Sequence, residues 1–140
     1  MKRRMATELA STLIAVALAV ATPKIAQADM DQTGEREFRS NCAVCHGIEA
    51  RGDGPMADLF DPRPPNLTLL SRQNGGFFPY GAVFDSIDGR SEVAAHGPRD
   101  MPVWGEALQA SGDSLGLDRE LLAYGRILAL TRYLERLQAE

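Results

Sequence analysis

The sequence predicts an all-α domain with long loops, and three observations carry that expectation. Beyond Asp118, apolar residues recur at three- and four-residue spacing through Ile127, Leu130, Leu134 and Leu137, as on one face of an amphipathic helix. Nowhere does a strong apolar–polar alternation argue for a sheet. The tracts Gly52-Asp53-Gly54-Pro55 and Asp61-Pro62-Arg63-Pro64-Pro65 are loop chemistry, which turns a chain and breaks regular structure.

The first residues read as a leader outside that domain. Lys2, Arg3 and Arg4 form a basic start, and Leu9 to Ala21 is an uncharged, mostly apolar run. Ala26-Gln27-Ala28 supplies the small residues a signal peptidase reads, with Asp29 as the new N-terminus. A membrane span needs about 20 apolar residues, and Pro23 and Lys24 end the run short of that. The expectation is a cleaved signal peptide over 1–28, one domain over 29–140, a periplasmic location and no stable membrane anchor.

Within the domain, Asp31 to about Val44 is expected to be helical, with Asp31 as cap and Glu35 and Glu37 early in the segment. Gly47 to Pro65 is a loop, broken at most by a short turn around Met56 to Phe60. Pro79 to Asp88 forms a short helix with Val83, Phe84 and Ile87 on one face. Gly89 to Trp104 reads as extended loop, because Pro98 and Pro102 forbid regular helix. Asp118 caps the last helix, which runs to about Ala139. Gly125 inside it costs about 1 kcal/mol relative to Ala, so it either bends the helix or admits another backbone.

Without residues 1–28 the chain keeps 11 basic and 18 acidic residues, and every basic one is Arg. Phosphate contacts dominate nucleic-acid affinity, so an acidic domain without a basic cluster excludes nucleic acid as a partner.

Both cysteines lie in Cys42-Ala43-Val44-Cys45-His46. Two thiols at this spacing can each form a thioether to a vinyl group of one haem, while the adjoining His reaches the iron. The competing readings are weaker. A disulfide across so short a loop stabilises little, a thioredoxin-like site needs a βαβ setting, and zinc needs more ligands than His96 offers. The expected cofactor is one covalently attached haem c, with His46 as an iron ligand.

The opposite face of the iron has four candidates: Met30, Met56, Met101 and His96. Met30 stands at the start of the domain, and Met56 only ten residues past His46. Met101 follows by 55 residues, far enough for the chain to wrap the ring, and Pro102 stiffens the loop presenting it. Spacing favours Met101 over His96.

Taken together, the haem motif, Met101-Pro102-Val103-Trp104-Gly105 and the C-terminal helix resemble a class I, monohaem, His/Met-ligated cytochrome c from about Asp31 to Leu137. The resemblance implies a small cytochrome c fold whose N- and C-terminal helices cross around the haem, with Gly34 and Phe38 meeting Leu130 and Tyr133. It also implies a proline carbonyl accepting from His46, with Pro55 as candidate, and it strengthens Met101 as sixth ligand. Arg63, Arg72, Arg99 and the Trp104 indole are candidates to meet the haem propionates. The lysine rim of mitochondrial cytochromes c has no counterpart here.

Two strong axial ligands leave the iron no substrate position, and no separate catalytic constellation is visible. The expected function is therefore not enzymatic. The chain reads as a periplasmic single-electron carrier between a dehydrogenase as donor and an oxidase or another cytochrome as acceptor. The alternatives are a haem subunit of a multi-subunit dehydrogenase, or a five-coordinate haem enzyme or gas-binding protein if Met101 is only core.

Overall fold

A computed structural model describes residues 28–90, 101–109 and 118–139. The chain divides into two units, Met1–Met30 and Asp31–Glu140. Of the first, residues 28–30 are described and are α-helical; the expected signal peptide and its apolar run lie otherwise outside the described residues. Everything below concerns the second unit.

All regular elements among the described residues are helical, as expected. Helix α1 covers residues 31–46: α-helical over 31–37, widened into a π-helical turn at Phe38–Cys42, and closed by Ala43–His46. A 3-10 turn at Ala57–Leu59 interrupts the long loop where a short turn was expected. Leu67–Leu69 forms a second such turn and leads into α2, Leu70–Gln73. Helices α3, α4 and α5 are Tyr80–Asp88, Trp104–Gln109 and Arg119–Arg136. No helix among the described residues is long and apolar enough to cross a membrane.

The core forms where α1 meets α5. Phe38, Ile127 and Leu130 are almost fully buried, and Tyr133 and Leu134 close the cluster. The Phe38 and Tyr133 rings lie 5.4 Å apart between centroids. Gly34 makes the approach possible: a Cβ there would stand 2.2 Å from the Ala129 carbonyl oxygen and 2.8 Å from Tyr133 Cβ. No side chain fits in that gap, which is the close contact expected of Gly34. Arg126 adds a fork from α5, donating to Glu37 Oε1 and Oε2 of α1 at 2.7 and 2.8 Å and to the Leu108 carbonyl of α4 at 3.1 Å.

Asp118 caps α5 as expected, its Oδ1 accepting from the Glu120 and Leu121 amides at 2.8 and 3.3 Å. Val83 and Ile87 of α3 are buried, with Phe84 packed beside them.

Three expectations need correction, and one of the two alternatives at Gly125 narrows. Asp31 does not cap α1, because residues 28–30 are already helical. Its carboxylate instead meets Arg132 Nε at 3.4 Å and Arg136 Nη1 at 2.5 Å on α5. Trp104 begins a helix rather than ending a loop: Pro102 precedes α4, so it removes no hydrogen bond from it. Among the described residues no second backbone comes near Gly125, since nothing lies within 4 Å of its virtual Cβ, and α5 runs through it. Finally, α5 stops at Arg136 because Gln138 draws the chain away. Its amide donates to the Leu67 and Leu134 carbonyls at 2.8 and 2.7 Å and accepts from the Ser71 amide at 2.9 Å.

Candidate cofactor-attachment site

Cys42, Cys45 and His46 share the last turns of α1. A helix end leaves its final carbonyls without intrahelical donors, and here the following loop supplies them. Gly47 N–H donates to Ala43 O at 2.9 Å, Met56 to Val44 O at 3.0 Å, Gly54 to Cys45 O at 3.2 Å and Gly52 to His46 O at 2.8 Å. The glycines are required by this wrapping. A Cβ on Gly54 would stand 2.5 Å from Val44 O, and Gly52, at φ +78°, would place one 2.3 Å from Pro64 O. The Gly- and Pro-rich stretch expected to be a loop therefore holds the motif by its backbone.

Both thiols are free and half-buried. Burial, helped by nearby Glu37 and Cys45, pushes the Cys42 thiol from 9.0 up to about 12, so it stays neutral at ordinary pH. That is the reverse of a redox-active pair, whose attacking thiol is held low.

His46 is buried. Burial lowers its pKa from 6.5, and the Pro65 carbonyl only partly opposes this, so the ring is neutral at pH 7. Its Nδ1 lies 3.3 Å from Pro65 O. A carbonyl can only accept, so the proton sits on Nδ1 and the Nε2 lone pair is left for a metal. A metal-binding imidazole is ordinarily oriented this way by its other nitrogen. The acceptor is Pro65 and not the expected Pro55. The Gly54 and Met56 bonds to Cys45 and Val44 carry the 54–56 stretch along the helix end, whereas Pro64 and Pro65 pass Gly52, next to His46 O. Four prolines follow the motif closely, and spacing alone could not choose among them.

Met101 is half-buried and packs against the same core cluster as Cys42 and Trp104. Met56 is 40% exposed and, unlike Met101, is not among the residues packed against the core cluster. His96 and Arg99 lie outside the described residues. Arg63 pairs with Asp58 at the surface. No group of three or more His, Cys, Asp or Glu side chains among the described residues could hold a metal ion.

The residues thus fit a haem bound by thioethers: two free, half-buried thiols one helical turn apart, and next to them an imidazole whose free nitrogen is the metal-binding one. Sequence reasoning missed Pro65 and also Glu37, which stands near Cys42 while forked to Arg126. No family model, curated protein or solved structure matches the chain.

Proposed function

We propose that this protein is an exported, periplasmic single-electron carrier built on one haem c, a member of the class I cytochromes c and not an enzyme. Cys42 and Cys45 attach the haem, and His46 and Met101 ligate its iron. The observation that carries the reading is the neutral, buried His46, its Nδ1–H turned to the Pro65 carbonyl, beside a Cys42 thiol that burial keeps uncharged.

When bound, the haem supplies a one-electron ferric/ferrous couple. The chain's residues do the rest. His46 offers Nε2 and is kept from rotating by Pro65. The loop amides of Gly47, Gly52, Gly54 and Met56 hold the attachment helix rigid. Met101, with the core behind it, offers a thioether, and methionine ligation and burial raise a haem's reduction potential. A site ligated on both faces leaves no position for substrate, so electrons pass between protein partners: a periplasmic dehydrogenase as donor, and an oxidase or another cytochrome as acceptor.

The mature protein should keep its haem through a denaturing gel and acid–acetone extraction, and Cys42→Ala with Cys45→Ala should give little holoprotein. Haem that extracts freely from the wild type sinks the proposal. The oxidised protein should also show the weak red-edge absorption of an iron–thioether bond, lost in Met101→Ala. Loss in His96→Ala instead would assign the sixth ligand to His96.

A further inference from the structure

We infer that Asp88, Arg90 and Glu120 form a clamp that positions Met101 by fixing α4, the short helix beginning three residues after it. The inference rests on Met101 being the iron ligand proposed above. Asp88 ends α3 and is buried. Its Oδ1 and Oδ2 accept from Arg90 Nε at 2.9 and 3.2 Å, and Arg90 Nη2 lies 2.8 Å from Oδ1. The other arm of the guanidinium donates to Glu120 Oε1 at 2.5 Å, in the first turn of α5. Glu120 Oε2 accepts from Gln109, the last residue of α4, at 2.6 Å. At the opposite end of α4, a Cβ on Gly105 would stand 2.3 Å from Asp88 Oδ1 and 2.4 Å from Arg90 Nε. The carboxylate–guanidinium pair therefore lies directly on the first turn of α4, and the chain of charges ends on its last residue.

A helix of six residues does not persist on its own propensity. Its position is set by what grips it: this clamp at both ends, the burial of Leu108, and the Arg126 bond to the Leu108 carbonyl. Only Pro102, whose φ is fixed, and Val103 separate Met101 from α4, so a displacement of α4 is passed to the sulfur. Residues behind a ligand commonly decide how firmly the ligand is held. Asp88, Arg90 and Glu120 are positioning residues and need not touch the iron.

The test compares Asp88→Asn and Gly105→Ala with Asp31→Asn, which weakens a half-buried pair far in sequence from Met101. In the full holoprotein, Asp88→Asn and Gly105→Ala should diminish the red-edge absorption and speed carbon monoxide binding by the reduced form about tenfold. Amide exchange over 101–109 should accelerate by about the same factor, with α5 unchanged. Arg90→Lys, which keeps the charge but loses the fork, should fall between these variants and wild type, and it serves if the others fold poorly. Asp31→Asn should lower stability alone. If Met101→Ala abolishes the red-edge absorption while the clamp variants behave like Asp31→Asn in all three readouts, the inference is overturned and the ligand assignment stands. If Met101→Ala leaves the absorption intact, the ligand assignment falls and takes the inference with it.

Discussion

The imidazole of His46 and the thiol of Cys42 carry opposite pH signatures, and both follow from burial. His46 has a folded pKa below 6.5, so the unfolded chain takes up the proton first as pH falls. Stability from the neutral ring is complete above about 6.5 and is lost as pH falls toward the folded value. Cys42 has a folded pKa raised from 9.0 to about 12, so the unfolded chain gives up its proton first as pH rises. Stability from the neutral thiol is complete below 9.0 and is lost between 9.0 and about 12. The second effect belongs to a free thiol only. Denaturant unfolding across the alkaline range should show the loss in chain carrying reduced thiols, and its Cys42-dependent part should vanish in thioether-linked protein. The same alkaline loss in haem-loaded protein would mean that Cys42 is not a linkage. At this scale the motif was legible because its chemistry is consecutive in sequence. The Pro65 acceptor was not, because it lies 19 residues from His46 and depends on the loop's path around the end of α1.

Among the elements, α1 and α5 show two glycines under opposite constraints. At Gly34 any side chain collides with Ala129 and Tyr133, so Gly34→Ala should force the terminal helices apart and cost about 1–3 kcal/mol. Phe38→Ala, which empties the same crossing, should cost about 3–5 kcal/mol. Gly125 faces open space among the described residues, so Gly125→Ala should stabilise by about 1 kcal/mol. Equilibrium unfolding of the three variants checks all three signs, and an unchanged midpoint for Gly34→Ala would remove it from the helix contact. The π-helical turn at Phe38–Cys42 adds a residue to one turn of α1 and ends on the first cysteine of the pair, and such insertions are frequent at functional sites. No sequence period announces it. Helix α5 was legible because its cap and apolar face are local signals. Helix α4 was not: Pro98 and Pro102 dominate its surroundings, and the ion pairs that seat it join residues far apart along the chain, such as Arg90 with Glu120.

For the whole molecule, the distribution of charge bears on the choice of partner. The chain beyond residue 28 carries 18 acidic and 11 basic residues, with no Lys. Many of its cations are already engaged. Arg39, Arg51, Arg63, Arg90, Arg126, Arg132 and Arg136 each pair with a carboxylate of the same chain. Their fields are cancelled at short range, so the excess seen by an approaching molecule is carboxylate. A proposed carrier with this charge should be steered toward a partner bearing a basic patch. Screening lengths fall to about 8 Å at physiological ionic strength, so the effect belongs to the encounter rather than to the final contact. Redox contacts are also small and short-lived. Steering should then appear as an association rate that falls with salt, with little change in electron transfer within the encounter complex. Stopped-flow oxidation of the reduced protein by a basic and by an acidic redox protein, over a range of ionic strength, separates the cases. The rate should fall with salt for the basic partner and rise for the acidic one. Equal, salt-independent rates with both would show that apolar contact governs docking, and the carboxylate excess would then have no part in selecting a partner.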